Sequence, residues 1–511
     1  MSAPKYLIDT NVFIGLEDHA EVVPVFAALQ QEAARYGVGI CVHAASVDDI
    51  QRDKDAARRR VSLSKIQKFP VIARVIGLDN ATLEARYGAL RKPNDIVDAT
   101  LLHALDIGVV DFLVTQDQGL HDRALRASAA LASRVLHVAD AVSLLRSTYA
   151  TVNVNLPAVQ EVDAHTIPID DPIFATLRAD YPPFDAWWRD KCVRPMRKCW
   201  VVLDDGRIAG LVVRKDESPG DTEARLPGGK ILKVCTFKVR PESRGVKLGE
   251  LLLKQVLWYA QSNKHDVVYL TTYSSQTTLI GLLEYYGFAH TYNKPNGERV
   301  YEKALPRERL EVADGGSLFD LARLNYPRFA AGAGVEAYAI PIKEDFHRVL
   351  FPELFEQPQM NLFPTSADVG LHRPGNTIRK VYLCRAQAWI AQPGALLFFY
   401  KGKAVLPPSQ AITTVGVFEE MTLAHSTENL RRLAGGRSVY TDAQLTDMDA
   451  SAERPVKVIN FLLAGHFEPP VGLAALKRDK VFAGHPPQSI KHLEPDQLAS
   501  VLKQVDLGFA V

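Results

Sequence analysis

Four aspartates in the first quarter of the chain have the residue type and placement to bind a metal ion. Asp9, Asp49, Asp98 and Asp117 each stand where a short apolar run ends or within a helical stretch. Acidic side chains are poor core residues and good ligands for hard divalent cations. The pattern therefore predicts a catalytic set that holds Mg²⁺ or Mn²⁺, with Asp95, one helical turn before Asp98, as a further ligand.

The elements expected to position these acids alternate along the chain. Short apolar runs such as KYLI, VGICV and VDFLVT are separated by helical stretches, which predicts a parallel sheet flanked by helices. Asp9 and Asp117 follow two of these strands, and ligand sites gather outside the carboxyl ends of parallel strands. Asp49 is favoured over Asp48 because it directly precedes the apolar Ile50. The alternative is that Asp9 and Asp117 cap helices while the other two acids are solvated.

Length and composition set the limits of the whole molecule. At about 100 to 200 residues per domain, the chain predicts about three domains, since it has 511 residues. The net charge is only +1, so a nucleic-acid surface would have to be a local patch. The five cysteines lack paired metal spacing and predict reduced thiols in a cytoplasmic protein. The sequence contains no run of about 18 apolar residues, so it predicts no membrane span.

Residues 1–150 resemble the PIN-domain nucleases. The resemblance lies in LIDTNVFIGL, the Asp49-Ile50 step, the Asp98-Ala99 step and LVTQDQGL. It implies a Rossmann-like parallel sheet and a quartet of acids holding one or two divalent ions for RNA cleavage. The second acid of that family is usually Glu, whereas this chain has the shorter Asp49. The basic run from Arg52 to Lys68 is either a solvated helix face or a phosphate-binding surface.

Residues 151–305 predict a mixed α+β sheet with an anion-binding loop. The decisive stretch is VCTFKVRPESRGVKLGELLLKQVLWYAQ, a strand, a glycine-bearing loop and an amphipathic helix. Backbone amides at such a helix start favour phosphate. The stretch resembles the GNAT acyltransferases, which implies acetyl-CoA as cofactor, with the Gly287-Phe288 step closing the domain. The cofactor contacts implied by this resemblance are Phe237, Val239, Arg244, Gly245, Val246, Lys247, Leu248 and Gly249.

Two departures from the GNAT pattern concern the loop and the general acid. Lys247 occupies the place of a loop glycine, and Leu283 stands where many members have an acidic Tyr. The nearby Tyr285 and Tyr286 could replace that Tyr as acid. The general base of the acetyl transfer could be Glu250, Glu284 or a water molecule.

Residues 306–334 predict a connector, and residues 335–511 predict a strand-rich domain. The runs GALLFFYKGKA and AITTVGVFEEM resemble the ASCH/EVE group of PUA-like β-barrels, which implies RNA binding. Basic and aromatic side chains interleave along the strands of this domain. Two polar residues follow a proline pair in PPQSI. The candidate RNA contacts are Arg379, Lys380, Tyr382, Arg385, Tyr400, Lys401, Lys403, Gln488 and Ser489. The alternative is that they are ordinary strand residues on an exposed face.

These segments together predict a toxin-like protein that combines a ribonuclease, an N-acetyltransferase and an RNA-binding barrel. RNA is the expected partner, with tRNA the favoured target, because both enzyme families include tRNA-directed toxins. A toxin role implies an antitoxin protein, and the PIN resemblance implies a homo-oligomer. The alternative hypothesis is an acetyltransferase whose PIN-like and PUA-like domains only bind nucleic acid or a partner.

Overall fold

Three β-sheets follow one another along the chain. The computed structural model describes residues 4–17, 24–52, 54–73, 78–149, 159–181, 183–204, 207–240, 247–312, 315–332, 334–354, 377–404 and 408–510. All five cysteines are free thiols. Within these ranges, no helix is both long and apolar enough to cross a membrane.

The N-terminal domain is a five-stranded parallel sheet with helices on both faces. Its strands are β1 (Lys5–Ile8), β2 (Gly39–His43), β3 (Val71–Ile72), β4 (Phe112–Val114) and β5 (Val135–Leu136), in the spatial order β3-β2-β1-β4-β5. Its helices are α1 (Thr10–Glu17), α2 (Pro24–Arg35), α3 (Ala44–Gln51), α4 (Ala56–Ile66), α5 (Asn80–Tyr87), α6 (Pro93–Asp106), α7 (Gln118–Ala127), α8 (Ala129–Ala132) and α9 (Val138–Tyr149). Tyr6 and Ile8 of β1 enter one core while Leu7 enters the other, because successive strand residues point to opposite faces. The predicted parallel sheet is thus observed.

The middle domain is a seven-stranded mixed sheet. Its strands are β6 (Val159–Asp163), β7 (Lys198–Asp204), β8 (Arg207–Glu217), β9 (Ile231–Val239), β10 (Val267–Thr272), β11 (Ala289–Asn293) and β12 (Arg299–Ala304), in the order β11-β12-β10-β9-β8-β7-β6. Its helices are α10 (Ala175–Asp180), α11 (Phe184–Trp187), α12 (Leu248–Ser262) and α13 (Thr277–Tyr285), with a π-helical turn over Trp188–Val193. Neighbouring strands are antiparallel except β9 and β10, which are parallel.

The C-terminal domain is a six-stranded sheet. Its strands are β13 (Ala337–Ile342), β14 (Arg379–Cys384), β15 (Leu396–Lys401), β16 (Ala411–Ala424), β17 (Val456–Gly472) and β18 (Lys491–Leu493), in the order β14-β17-β16-β15-β13-β18. Its helices are α15 (Glu344–Leu350), α16 (Thr427–Ala434), α17 (Asp442–Asp447), α18 (Leu473–Arg478) and α19 (Pro495–Leu502), preceded by α14 (Leu318–Leu324). In the part of the chain that the structure describes, the end strands β14 and β18 do not pair with each other. Closure into the predicted barrel stays a prediction.

The middle and C-terminal domains share one hydrophobic core. Leu257 of α12, Phe329 of the predicted connector and Leu462 of β17 belong to the same buried cluster. Tyr326 links them by polar contacts, since its hydroxyl accepts from Trp258 Nε1 at 2.8 Å and donates to the Leu463 carbonyl at 2.8 Å. The segment predicted as a connector is therefore a packed part of the core.

Candidate active site

The middle sheet opens between its two parallel strands. β9 pairs with β10 from Ile231 to Val234, where Val234 faces Leu270, but β9 continues to Val239. Beyond Val234 the β9 backbone keeps only its pairing with β8. Unpaired backbone amides and carbonyls at such a gap are available to an extended ligand. The gap separates two cavities, one on each side of the sheet edge.

The first cavity, of about 640 Å³, lies at the start of α12. Five of the predicted cofactor contacts line it: Phe237, Val239, Lys247, Leu248 and Gly249. The other three, Arg244, Gly245 and Val246, lie outside the described residues. Helix α12 is long enough to have a positive amino end that favours an anion. The cavity therefore has the wall and the charge that a phosphate-bearing cofactor needs.

Lys247 is the residue that begins α12, and its backbone is left-handed with φ 55°. A side chain in this conformation is uncommon, which explains why a glycine is expected here. Burial lowers the pKa of Lys247 to about 8, helped by the nearby Arg437 charge and opposed by Asp140 and Glu250. The lysine is thus a cation at the predicted phosphate position whose charge is partly offset by two neighbouring carboxylates.

The second cavity, of about 520 Å³, lies on the other side of the gap. It meets the first cavity at Phe237, Lys238, Gln276 and Leu279, which line both. A group held at this junction can be reached from either side. This geometry suits a reaction between a ligand in the first cavity and an acceptor in the second.

The lining of the second cavity is basic and aromatic. Its cationic residues are Lys191, Arg197, Lys215, Lys233, Lys238 and Lys294. Its aromatic residues other than Phe237 are Tyr181, Phe184, Trp187 and Tyr273. Only two carboxylates, Glu217 and Glu298, line the cavity. The walls therefore carry an excess of positive charge beside aromatic rings.

Glu298 is the better placed of these two carboxylates for proton transfer, and no motif in the sequence indicated it. It is 7% exposed and accepts hydrogen bonds from Tyr181 Oη at 3.0 Å and Asn296 Nδ2 at 2.9 Å. Lys294 Nζ also lies 3.7 Å from the Glu298 carboxylate. Glu217 is held more closely, because Lys215 Nζ donates to it at 2.8 Å and Tyr269 Oη at 2.6 Å. Glu298 lies in the turn before β12, where a charged residue is ordinarily solvated.

The residues predicted as acid or base lie on the cofactor side of the gap. Glu250 accepts from the Arg379 backbone N–H at 2.8 Å and from Tyr286 Oη at 3.3 Å. Burial raises the pKa of both Tyr285 and Tyr286, so neither phenol is a ready proton donor. Leu283 is fully buried in the core. The first cavity thus offers Glu284, an exposed carboxylate, as the remaining alternative.

The predicted nuclease acids converge at the carboxyl ends of β1 and β4. Asp9 is 7% exposed, and its carboxylate accepts from Asn11 Nδ2 at 2.6 Å and Thr115 Oγ1 at 2.8 Å. Burial raises the pKa of Asp9 to about 6, with smaller contributions from the charges of Asp117 and Asp49. Burial also raises the pKa of Asp98 to about 7, and Asp9 and Asp117 add to this rise. The carboxylates are therefore close enough to repel one another.

Several of these acids also have local partners. Asp117 caps α7 by accepting from the Gly119 N–H at 2.6 Å, as the capping alternative predicted. Asp49 pairs with Arg52 at 2.8 Å.

Asp95 accepts from the Arg91 and Lys92 N–H groups at 2.7 and 2.8 Å and pairs with Arg123 at 3.1 Å. Burial acts to raise the pKa of Asp95, but these hydrogen bonds outweigh it and lower the pKa.

The arrangement of the acidic side chains decides whether they can hold a metal ion. Among the residues that the structure describes, no group of three or more His, Cys, Asp or Glu side chains is positioned to hold a metal ion. Asp49 and Asp95 pair with Arg52 and Arg123, so a metal ion would have to displace these cations before all the predicted ligands could bind it. The metal site stays a prediction.

Most of the predicted RNA contacts on the C-terminal strands are wrong as surface contacts. Arg379, Lys380, Tyr382, Tyr400 and Lys401 are all buried. In β15 the physical reason is that alternate residues enter two different cores, one on each face of the sheet. In the end strand β14, Tyr382 packs in one of these cores. The remaining candidates, which are exposed, are Arg385, Lys403, Gln488 and Ser489.

The buried cations of this sheet have internal partners. Arg379 pairs with Glu419, Lys380 Nζ donates to the Leu350 carbonyl at 2.7 Å, and Lys401 pairs with Glu344 at 3.3 Å. Burying a charge requires such compensation. Their role is therefore structural.

Comparison of the whole fold with solved structures gives weak overall superpositions. The chain is similar to an ASCH protein from Zymomonas mobilis at 12% identity and a TM-score of 0.25, covering 33% of this chain and 96% of that one. It is similar to an IAA acetyltransferase from Bacillus cereus at 12% identity and a TM-score of 0.23, covering 29% and 99%. It is also similar to a bacterial toxin at 18% identity and a TM-score of 0.22, covering 29% and 92%. The fold description rests on the strands and helices of this chain, since these scores are low.

Sequence comparison assigns the middle of the chain. A search of curated proteins gave no match. Residues 163–288, which run from the end of β6 through α13 to Phe288, match the acetyltransferase (GNAT) family. The chain therefore contains a GNAT acetyltransferase domain.

Proposed function

We propose that this chain is an acetyl-CoA-dependent N-acetyltransferase that acts on an amine carried by RNA, with tRNA as the favoured target. The observation that carries the proposal is the strand gap of a GNAT domain, at which two cavities meet beside Phe237 and Lys238. One cavity has an anion-favouring helix start and the other has a basic, aromatic lining. Two substrates can thus approach one junction from opposite sides.

The residues present fit acetyl-CoA in the first cavity. Lys247, Leu248 and Gly249 would hold its phosphates, and Phe237 and Val239 would lie along its pantetheine arm. Bound there, acetyl-CoA supplies an acetyl thioester. The acceptor amine attacks the thioester carbonyl carbon, the carbon–sulfur bond breaks, the amine loses a proton and the thiolate leaves. The chain has to orient the amine and take its proton.

Glu298 is the proposed proton acceptor. Its carboxylate lines the acceptor cavity and is held by the Tyr181 hydroxyl at 3.0 Å. Such a hydrogen bond fixes the orientation of a base before the substrate arrives. The Cys235 thiol also lines this cavity, but burial raises its pKa, so it is a poor nucleophile.

The acceptor class follows from the cavity lining. The cavity is lined by six cations and two carboxylates, and three of the cations, Lys215, Lys233 and Lys294, are paired with Glu217, Asp221 or Glu223. The positive charge that is left favours a polyanion over a free ammonium substrate. Aromatic rings beside cations suit nucleotides, which stack and carry phosphates. The amine of an aminoacyl ester on tRNA is aliphatic and nucleophilic, unlike the aromatic amines of nucleobases. An aminoacylated RNA end is a polyanion, has bases that can stack and carries an aliphatic amine, so it satisfies all three requirements.

The C-terminal domain supports the proposal by its surface. Trp389 is 53% exposed, and Arg385 and Lys403 are exposed as well. Lys457 Nζ lies 5.6 Å from the centroid of the Trp389 ring, and an exposed indole beside a cation is a suitable platform for an unpaired base. RNA binding by this domain would hold the substrate near the acceptor cavity.

Labelled acetyl-CoA tests the proposal. The full chain would be incubated with aminoacyl-tRNA, deacylated tRNA or the free amino acid, and we expect label on the aminoacyl-tRNA alone. A lack of label on every acceptor would contradict the acetyltransferase, and label on the free amino acid alone would contradict the RNA target.

Three variants then identify the proton acceptor. We expect Glu298→Gln to lower kcat by about 10² to 10⁴-fold, whereas Glu284→Gln serves as the matched carboxylate on the cofactor side. Tyr181→Phe keeps the carboxylate and loses only its hydrogen bond, so a smaller loss is expected. A large loss in Glu284→Gln with normal activity in Glu298→Gln would reverse the assignment.

A metal-dependent ribonuclease in the N-terminal domain is the second candidate function. It is favoured by the convergence of Asp9, Asp98 and Asp117, whose charges act on one another. RNA cleavage with added Mn²⁺ is expected to disappear in the double variant Asp9→Asn with Asp98→Asn. Retained cleavage in that variant would leave the N-terminal domain as a binding module, as in the alternative hypothesis.

Either activity would give the protein a toxin role, because both acetylation and cleavage would inactivate tRNA. Growth arrest on expression, relieved by a neighbouring antitoxin gene, would support it. Normal growth of cells that express the wild type would contradict it, and recovery of growth in the Glu298→Gln variant would assign the arrest to the acetyltransferase. A homo-oligomer is proposed from the PIN resemblance, and sedimentation of the full chain would test it.

A further inference from the structure

The N-terminal domain closes one side of the cofactor cavity. Gln118, Asp122, Leu125 and Arg126 of α7 line it together with residues of the GNAT domain. Their spacing places them along one helix face. The same helix packs against α13, where a Cβ on Gly281 would lie 3.6 Å from Gln118 Nε2. The cavity wall is therefore shared between two domains.

A second part of the N-terminal domain reaches the start of α12. His137 and Asp140, from the end of β5 and the start of α9, also line the cavity. Asp140 is 3% exposed, and among the described residues its Oδ1 has no hydrogen-bond partner. The charges of Lys247 and Glu250 act on it. The N-terminal domain thus meets the predicted phosphate position itself.

Two fixed points give the direction of the bound cofactor. The thioester belongs at the strand gap beside Phe237, and the pyrophosphate belongs at the amino end of α12. The nucleotide end then continues past α12 into the part of the cavity that α7 covers. Building on the proposed acetyl-CoA dependence, we infer that the N-terminal domain binds the 3′-phosphoadenosine end of CoA, with the Arg126 guanidinium contacting the 3′-phosphate.

Arg126 has the chemistry that this contact needs. It lines the cavity and is exposed, so its guanidinium is accessible to a ligand. Arg126 lies one helical turn after Asp122, whose carboxylate accepts from Gln118 Nε2 at 2.8 Å. Guanidinium groups match phosphate geometry with paired hydrogen bonds. The other charged groups that line the cavity are Asp122, Asp140, Lys238, Lys247, Glu250, Glu284 and Arg379.

Binding of CoA and 3′-dephospho-CoA to the full chain tests the inference by calorimetry. The wild type should bind CoA about ten-fold or more tightly than dephospho-CoA, since a charge-assisted hydrogen bond is lost. Arg126→Ala should bind both ligands with the weaker affinity, and Arg126→Lys should recover part of the difference. Arg91→Ala is the matched control, because Arg91 is an exposed arginine of the same domain that does not line the cavity.

The outcomes separate this inference from the proposed function. If the wild type binds neither ligand, acetyl-CoA dependence itself fails. If CoA binds but Arg126→Ala keeps the full preference over dephospho-CoA, or weakens both ligands equally, the 3′-phosphate contact is overturned. Loss of the preference in Arg91→Ala as well would overturn the assignment to Arg126.

Discussion

Replacing Asp98 by Asn tests whether the converging aspartates strain the N-terminal domain. Burial raises the pKa of Asp98 from its ordinary 3.8 to about 7, with further contributions from Asp9 and Asp117. A raised carboxyl pKa means that the folded domain binds more protons than the unfolded chain. Stability therefore falls as the pH rises from about 4 to about 7, and the loss persists above that pH.

The magnitude follows from the size of the pKa change. At ~1.4 kcal/mol per pKa unit, the full titration of Asp98 corresponds to ~4 kcal/mol. Roughly half of this is incurred between pH 5.5 and 8.5, and partial exposure of Asp98 reduces it to ~1 kcal/mol. Asp98→Asn should stabilise the domain by about that much more at pH 8.5 than at pH 5.5.

Hydrogen exchange measured by mass spectrometry is the suitable assay, because the five tryptophans all lie after residue 150 and do not report on this domain. Peptides covering β1 and α6 would be followed at both pH values, after correction for intrinsic exchange rates. Asp79→Asn is the control, since the Thr82 N–H lowers the pKa of Asp79 and the sign is opposite. Equal pH dependence in the wild type and Asp98→Asn would refute the reasoning.

Two further predictions concern contacts between segments. Gly287→Ala should destabilise the protein by several kcal/mol, as strained and overpacked substitutions do. Gly287 has φ 83°, and an added Cβ would lie 1.9 Å from the Leu324 carbonyl oxygen. Urea unfolding followed by tryptophan fluorescence measures the loss of stability, and an unchanged midpoint would contradict the prediction. Arg432→Ala should lower the free energy of unfolding by ~1 to 3 kcal/mol, because Arg432 pairs with Asp111 of the N-terminal domain at 3.0 Å. The expected result is faster hydrogen exchange in the peptide before β4, and Arg454→Ala is the exposed control.

Several strands of each sheet could be predicted from the sequence, such as β1, β2 and β4 of the N-terminal domain, but the burial of the C-terminal cations was not predicted. LLFFYK in β15 is buried at every position, and a continuous apolar run of this kind is typical of strands covered on both faces. That signal argued against an exposed RNA surface at Tyr400 and Lys401. The partners that neutralise Lys401 come from another element, which local sequence does not specify.

The acids illustrate the same limit at the site. The positions of Asp9 and Asp117 directly after β1 and β4 place these two acids at one edge of the sheet, because strand ends in a parallel sheet meet there. Asp98 lies in helix α6, and its assignment to the site stays a prediction. The Asp49–Arg52 pair is three residues apart in α3 and was open to prediction from helix spacing. Glu298 was beyond reach, since a turn between two strands carries it into a cavity built by distant elements.

Helix α7 connects the two candidate sites in a way that neither domain alone explains. Asp117 caps its first turn, and the residues that follow line the cofactor cavity. A ligand that orders the cavity face of this helix also fixes the backbone amides that the Asp117 carboxylate accepts from. Any binding event at the acids must then act back on cofactor affinity by the same free energy, because linkage between two sites is reciprocal. The shared wall is therefore a physical reason for the N-terminal domain to remain joined to the GNAT domain.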